Sequence, residues 1–325
     1  MDERTLPPPP PAGAGPEACY RHPEVVTGVH CTRCGRPICP DCMHQAPVGH
    51  HCPNCVADAR REFRRGSGRR VGGVARTTAV SYTTLILLGI AGVFVLEIVA
   101  GGGATVMDPD LVDLIQLGGA VPALIADGQW WRLLTSMFLH AGLIHLALNA
   151  WGLYIFGAVV EQQTYGRVRF LVIYFIAGIV GSVASFALRA TDIPQDVAIP
   201  GVGASGGIFG LVGAVAVYAF MRRDTPVGQA YLRWAVMIVV LNLVIGGGTA
   251  GIDNAAHIGG GFGGAACALV AEFGRRRSSP LLEWFGYGAV VVAAAAVMLA
   301  KTASITALPF FEDVVRQLRQ LPGPF

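Results

Sequence analysis

Seven stretches of about twenty apolar residues, nearly free of charge, dominate this chain. An α-helix rises about 1.5 Å per residue, so a run of that length spans the hydrocarbon of a bilayer. The stretches fall at roughly 78–100, 138–160, 168–188, 203–221, 231–248, 254–272 and 284–300. The rest of the composition agrees. Of 325 residues, 53% are apolar and only 14% charged, with a mean hydropathy of +0.53. Those proportions exclude an ordinary soluble enzyme and a disordered chain. The net charge of +3 is small, and Lys301 is the single lysine among 24 basic residues. An arginine skew of that kind reads as coding bias, so no nucleic-acid partner is expected.

Charge sets an expected orientation. Seven Arg and one Glu lie between Arg60 and Arg76, just before the first span. Such a cluster holds its side of the chain in the cytoplasm, with a nucleic-acid patch as the alternative reading. With the amino end inside, the inner loops carry Arg167, Arg169, Arg222, Arg223, Arg233, Arg275, Arg276 and Arg277, and the outer loops only Arg132 and Arg189. Lys301, Arg316 and Arg319 run against this, since the tail would lie outside. The longest outer loop, about 101–137, holds Trp130, Trp131 and Arg132, residues suited to an interface. Much of the glycine (43 residues) lies inside spans, where small side chains let helices approach closely.

Seven of eight cysteines crowd between Cys19 and Cys55. An odd number fits closed disulfides poorly and would leave one thiol over. The spacing fits metal: Cys19-x2-His22, Cys31-x2-Cys34, Cys39-x2-Cys42 and Cys52-x2-Cys55 supply eight ligands, enough for two tetrahedral zinc ions. The gaps between pairs favour interleaving, with Cys19, His22, Cys39 and Cys42 on one ion and Cys31, Cys34, Cys52 and Cys55 on the other. Sequential pairing stays open, and His30, His44, His50 or His51 could replace a ligand. The interleaved arrangement resembles the cross-braced B-box type of zinc finger. With every position filled no water site remains, so the zinc is expected to be structural. The expected divisions are a disordered Pro-rich leader over 1–18, without the pattern of a secretory signal; the zinc segment over 19–58; an Arg-rich linker over 59–77; a six-span core over 78–275; and a seventh span with its tail over 276–325.

Polar groups inside spans are costly unless paired or functional. His145 and Asn149 in the second span are four apart and share a helix face. Ser205 lies at the start of the fourth span, within Gly203-Ala204-Ser205-Gly206, and His257 near the start of the sixth. These three spans run in one direction, so the four groups fall in one layer beneath the outer face. A water-filled pocket there explains them together. A serine hydroxyl becomes a nucleophile when a base takes its proton, and histidine is the usual base. Unpaired N–H groups at a helix start can hold a tetrahedral oxyanion, aided by side-chain donors from the facing helix.

These residues, with Trp131-Arg132 and Ala256-His257-xx-Gly260-xxx-Gly264, resemble the rhomboid family of intramembrane serine proteases over about residues 80–275. The resemblance implies an all-α membrane protein: a rhomboid-like six-helix bundle plus one extra C-terminal transmembrane helix. It implies a dyad of Ser205 as nucleophile and His257 as base, then acid, with no catalytic cofactor. His145, Asn149 and the Ser205 amide would line the oxyanion hole. Gly260 and Gly264 would bring the sixth span against the fourth, where Gly203 and Gly206 flank the nucleophile. Trp131 and Arg132 would brace the outer loop, and Glu161 is similar to the family's structural carboxylate. Phe209 stands where the family often has tyrosine.

The expected activity is hydrolysis of peptide bonds in or near transmembrane segments of single-span membrane proteins. The setting would be the plasma membrane, with the amino end cytoplasmic and the site opening outward. The alternatives are an inactive rhomboid-like chaperone that holds transmembrane segments, and a solute channel using the same polar layer. The zinc segment reads as a docking module for a cytosolic protein or as a small folded cap.

Overall fold

The structure, a computed structural model, describes residues 17–46, 48–70, 80–101, 106–107, 109–248 and 252–321. Nearly all of the leader expected over 1–18 lies outside these residues, and so do positions 71–77 of the expected linker. The chain divides into two compact units, Met1–Ala79 and Val80–Phe325.

The first unit has little regular structure. Strand β1 (Glu17–Ala18) pairs antiparallel with β2 (Val26–Thr27), and β3 (His44–Gln45) with β4 (His50–His51). Helix α1 (Pro53–Arg70) begins between Cys52 and Cys55 and continues into the Arg-rich stretch. The centre of the unit is a cluster of thiols around Ile38, which is fully buried. Thr27 Oγ1 donates to the Ile38 carbonyl at 2.9 Å and ties the first hairpin to that centre.

The second unit is helical. In chain order it contains α2 (Tyr82–Ala100), α3 (Leu111–Gln116), α4 (Pro122–Ala126), α5 (Arg132–Thr135), α6 (Leu143–Ala158), α7 (Arg167–Leu188), α8 (Pro194–Ala198), α9 (Ser205–Phe220), α10 (Pro226–Gly248), α11 (Asn254–Arg276), α12 (Pro280–Thr306) and α13 (Phe311–Arg319). Helix α6 runs on through Val159–Thr164 as a π-helical turn. By length and composition α2, α6 with its extension, α7 and α12 can each cross a membrane, whereas α9 is apolar but shorter. Leu88, Ile144, Tyr154, Phe262 and Phe285 are more than half exposed on outward faces, as expected of side chains that meet lipid rather than water.

Helix α9 occupies the middle, wedged between α7 and α11, with Leu211, Val212, Ala214 and Val215 buried. The second span begins at Leu143 rather than near 138. Gly142 has φ +97° and sits against the Met107 carbonyl, a backbone state that ends the loop before helix can start.

At the end of the bundle where α9 and α11 begin, short elements form a cap. Ile125 of α4, Val197 of α8, Ile305 of α12 and Phe311, Val314 and Val315 of α13 bury one another. A single bridge pairs Ala120 with Gly201. The tail cations that run against the expected orientation are engaged here: Arg319 pairs with Asp127 at 2.6 Å, and Lys301 Nζ donates to the Arg189 carbonyl at 3.0 Å. The other end is held by ion pairs. Arg169 meets Glu283 at 2.6 Å, and Arg222 meets Glu272 at 3.1 Å.

Candidate active site

Ser205 is the first residue of α9, so the N–H groups of that first turn lack intrahelical partners. The chain reaches it through Gly203, whose φ of +125° suits glycine alone and whose N–H donates to the Ser136 carbonyl at 2.9 Å. A Cβ added to Gly203 would lie 2.8 Å from His145 Nε2 and 3.7 Å from Ser205 Oγ, so imidazole and hydroxyl flank one small space. His145 Nδ1 accepts the Ala141 N–H at 3.2 Å. A ring nitrogen that accepts carries no proton, so the neutral ring holds its proton on Nε2, facing that space as a donor.

His257 is buried near the start of α11 and stacks on Phe209, with ring centroids 4.4 Å apart and planes 15° from parallel. Phe209 follows Ser205 by one helical turn, which puts the imidazole beside the nucleophile's helix. Glycine makes this approach possible. A Cβ on Gly260 would run into the Gly206 carbonyl, and one on Gly264 into the backbone of Gly210. Asp253 caps α11, accepting the Ala256 N–H at 2.9 Å. The Ser185 hydroxyl donates to the other Asp253 oxygen, and Arg189 stands 3.9 Å from it. Among the described residues no hydrogen bond joins Ser205 to His257; in resting acyl-transfer sites such bonds are often long and tighten with substrate.

A cavity of ≈ 40 Å³ opens beside Ser205, lined by Ile125, Ser136, Ser185, Gly203 and Asp253 among others. A water molecule needs roughly 10–15 Å³ of such space and two or more polar partners, which this lining supplies.

Other residues singled out in the sequence surround this centre. Arg132 is buried; it donates to the carbonyls of Ile115 at 2.5 Å and Gly119 at 2.9 Å and lies over the Trp131 ring at 4.7 Å, fastening the 111–135 loop. Burial lowers its guanidinium to about 10, which leaves it charged at neutral pH. Asn149 Nδ2 donates to the His145 carbonyl at 3.0 Å, one turn back on its own helix. Glu161 lies far from the serine, in the π-helical turn. Its carboxylate accepts the N–H groups of Tyr82 and Thr83, both at 2.9 Å, and the Thr83 hydroxyl at 2.7 Å, and so caps α2.

Two neighbours were not singled out in the sequence. His140 is fully buried, edge-on to His145 at 5.2 Å, and its backbone N–H donates to the Glu97 carboxylate at 3.0 Å. Asn242 of α10 places Nδ2 at 3.1 Å and Oδ1 at 3.3 Å from His257 Nδ1. The rule that picked out Asn149, a polar amide within a span, also applies to Asn242.

In the first unit the ligand candidates gather as two interleaved groups, Cys19, His22, Cys39 and Cys42, and Cys31, Cys34, Cys52 and Cys55, each with all donor atoms within 4.8 Å of one another. His22 presents Nδ1, 3.2 Å from Cys39 Sγ and 3.5 Å from Cys42 Sγ. Cys34 and Cys52 Sγ are 3.7 Å apart. Four ligands at ~2.3 Å around a tetrahedral ion would stand about 3.8 Å from each other, so the spacing fits a metal. The Cys52 N–H points at Cys31 Sγ at 3.2 Å. Burial raises the Cys31 thiol, but such backbone donors outweigh it and bring the group down to about 6, favouring the thiolate a metal needs.

The Rhomboid domain family profile matches residues 127–272. The chain is 41% identical over 207 residues to the rhomboid protease GluP of Bacillus subtilis, a match taking in 61% of this chain and 37% of that protein. It is 33% identical over 202 residues to the rhomboid protease AarA of Providencia stuartii, covering 57% of this chain and 70% of AarA. With RHOMBOID-like protein 7 of Arabidopsis thaliana it shares 40% identity over 141 residues, 42% of this chain and 41% of that protein. With a matching profile across α5 to α11 and a relative covered over most of its length, the chain belongs to the rhomboid family.

Proposed function

We propose that this protein is an intramembrane serine endopeptidase that hydrolyses peptide bonds in or near transmembrane segments, with Ser205 as nucleophile and His257 as base and acid. The observation that carries the reading is the pairing at one small space of the Ser205 hydroxyl, on a helix start with unpaired N–H groups, and a His145 N–H. Ser205 Oγ attacks the scissile carbonyl and its proton passes to His257 Nε2. The resulting oxyanion sits among the Ser205 amide and His145 Nε2–H, with Asn149 one turn further along the same helix. Collapse breaks the C–N bond, and His257 returns the proton to the leaving amine. Water from the adjoining cavity then attacks the acyl-serine, giving its proton to His257, and the second collapse releases the carboxylate product and restores the serine.

The arginine bias supports a plasma-membrane protein with the amino end cytoplasmic and the site facing outward. Single-span membrane proteins with small, helix-breaking residues near the cut are the substrates this arrangement suits, because the peptide must unwind to expose a carbonyl. In the first unit, two structural zinc ions in a B-box-like cross-brace match the donor chemistry, and the unit would dock a cytosolic protein or tune cleavage.

The test is activity-based labelling. A fluorophosphonate should label the wild type and cleavage of a single-span test substrate should proceed, while Ser205→Ala and His257→Ala do neither. Labelling of Ser205→Ala at the wild-type rate would exclude Ser205 as nucleophile. A wild type that binds substrate without labelling or cleavage would be the inactive relative.

A further inference from the structure

His257 has two ring nitrogens, and only one can face the serine. If Nδ1 is the acceptor, the proton of the neutral ring sits on Nε2 and the residue cannot take the Ser205 proton. Some group must therefore hold a proton on Nδ1, and in Ser-His-Asp sites a carboxylate does so. Among the described residues no carboxylate is hydrogen-bonded to Nδ1. The side chain within reach is the Asn242 amide, at 3.1 and 3.3 Å.

We propose that Asn242 is the positioning residue of the site: its Oδ1 accepts the Nδ1–H of His257, fixing the tautomer that leaves the Nε2 lone pair free for Ser205. The two amide atoms interchange by a half-turn of the side chain, and both lie within hydrogen-bonding distance of Nδ1. Only the orientation with Oδ1 inward leaves the ring competent as a base. Phe209 stacks on the face of the ring, at 15° from parallel, so the amide at its edge and the aromatic ring on its face together leave the imidazole little freedom. Around His257, Phe209 from α9 stacks on the ring, Asn242 from α10 meets Nδ1, and His145 from α6 and Asp253 from its own helix cap act on it electrostatically. Asp253 is engaged with Ser185, Arg189 and the Ala256 N–H and does not compete for Nδ1. Helix α10 thereby acquires a part in the chemistry although it supplies no nucleophile, base or oxyanion donor.

The inference rests on the dyad reading, and the experiment separates the two. The full-length protein in liposomes is assayed against a single-span test substrate from pH 5 to 9, roughly the range in which an imidazole titrates. Asn242→Ala should lower kcat by about tenfold or more with KM little changed, because the base is then present in the wrong tautomer part of the time. Asn242→Asp keeps the shape and the acceptor and adds charge that favours the imidazolium. It should regain much of kcat while its acid limb moves to higher pH, by about one unit. A residue that only packs would change the melting temperature and leave the acid limb in place. Wild-type kcat in Asn242→Ala, or an acid limb in Asn242→Asp that coincides with the wild type, would overturn the proposal. Cleavage that survives in Ser205→Ala or His257→Ala would instead overturn the dyad, whatever the Asn242 variants do.

Discussion

The cysteine-rich unit and the helical bundle reach a fixed structure by opposite means. The first has strands of two residues and, among its described residues and apart from its thiols, a single fully buried apolar side chain, Ile38. So small a segment buries too little apolar surface to offset its ordering entropy and needs cross-links or metal. The bundle needs neither. It gains its stability from helix surfaces that meet backbone to backbone, and its one cysteine, Cys267, is an ordinary buried side chain. Metal removal should therefore separate the two units sharply. A structural zinc site contributes ~10–16 kcal/mol to folding of a small domain. Chelation, or Cys34→Ser, should unfold the first unit outright while the melting temperature of the bundle stays where it was. Amide exchange followed separately in the two units would read this. Retention of protection in the chelated first unit would mean that its hairpins and Ile38 suffice.

The bundle has its own point of failure, at the glycines. Gly260→Val would place a side chain on the Gly206 carbonyl, an atom of helix backbone that has nowhere to retreat. Overpacking of flexible cores costs about 1–3 kcal/mol, and a clash with backbone should exceed that. The expected result is a large loss of thermal stability in detergent together with loss of fluorophosphonate labelling. Gly288→Ala is the control, since a Cβ there meets nothing within 4 Å. Equal behaviour of the two variants would deny the close approach of α9 and α11 its role.

What was legible in the sequence follows the same division. Apolar runs locate α2, α6, α7, α9, α10, α11 and α12 because the bilayer imposes a length. The x2 spacings identify the ligand pairs because one turn can chelate one ion, and the gaps between pairs favour the interleaved sharing that the structure has, while leaving a sequential one open. That choice is made in three dimensions, by hairpins that bring Cys19 and His22 to Cys39 and Cys42. Ser205 and His257 stand out as polar residues in apolar runs, and the same logic reaches Asn242, whose partner lies on another helix and has no fixed offset in sequence. The docking of α13 was not legible either. Its contacts with α4 and α8 join segments more than a hundred residues apart in sequence, and a short amphipathic tail says nothing about where its apolar face will rest.

Glu161 offers a smaller and sharper test. The sequence identifies it only through likeness to a family carboxylate, whereas the geometry gives its function as the cap of α2. Glu161→Ala leaves two N–H groups and a hydroxyl without their acceptor in a buried place, which should cost ~1–3 kcal/mol. Glu161→Gln keeps one carbonyl oxygen and should cost about half as much. The ordering Ala below Gln below wild type in melting temperature is the expected readout. Equal losses in the two variants would point to Arg167, 3.5 Å from the carboxylate, as the partner that matters.

The smallest effect concerns α13. Arg319 and Asp127 form a well-aligned pair, at 2.6 Å, but the arginine side chain is 61% exposed and water screens it. Exposed pairs of this kind are worth about 0–1 kcal/mol. Asp127→Arg should lower the melting temperature slightly, and the exchange Asp127→Arg with Arg319→Asp should restore it, because charge rather than shape is what the pair contributes. The larger share of the docking energy lies in Phe311, Val314 and Val315, all buried against the cap. Val314→Asp should thus release α13 where the charge reversal does not, and protease nicking between α12 and α13 would show it. If the single reversal alone frees the helix, the apolar contacts are weaker than their burial implies, and the cap over the cavity depends on one ion pair.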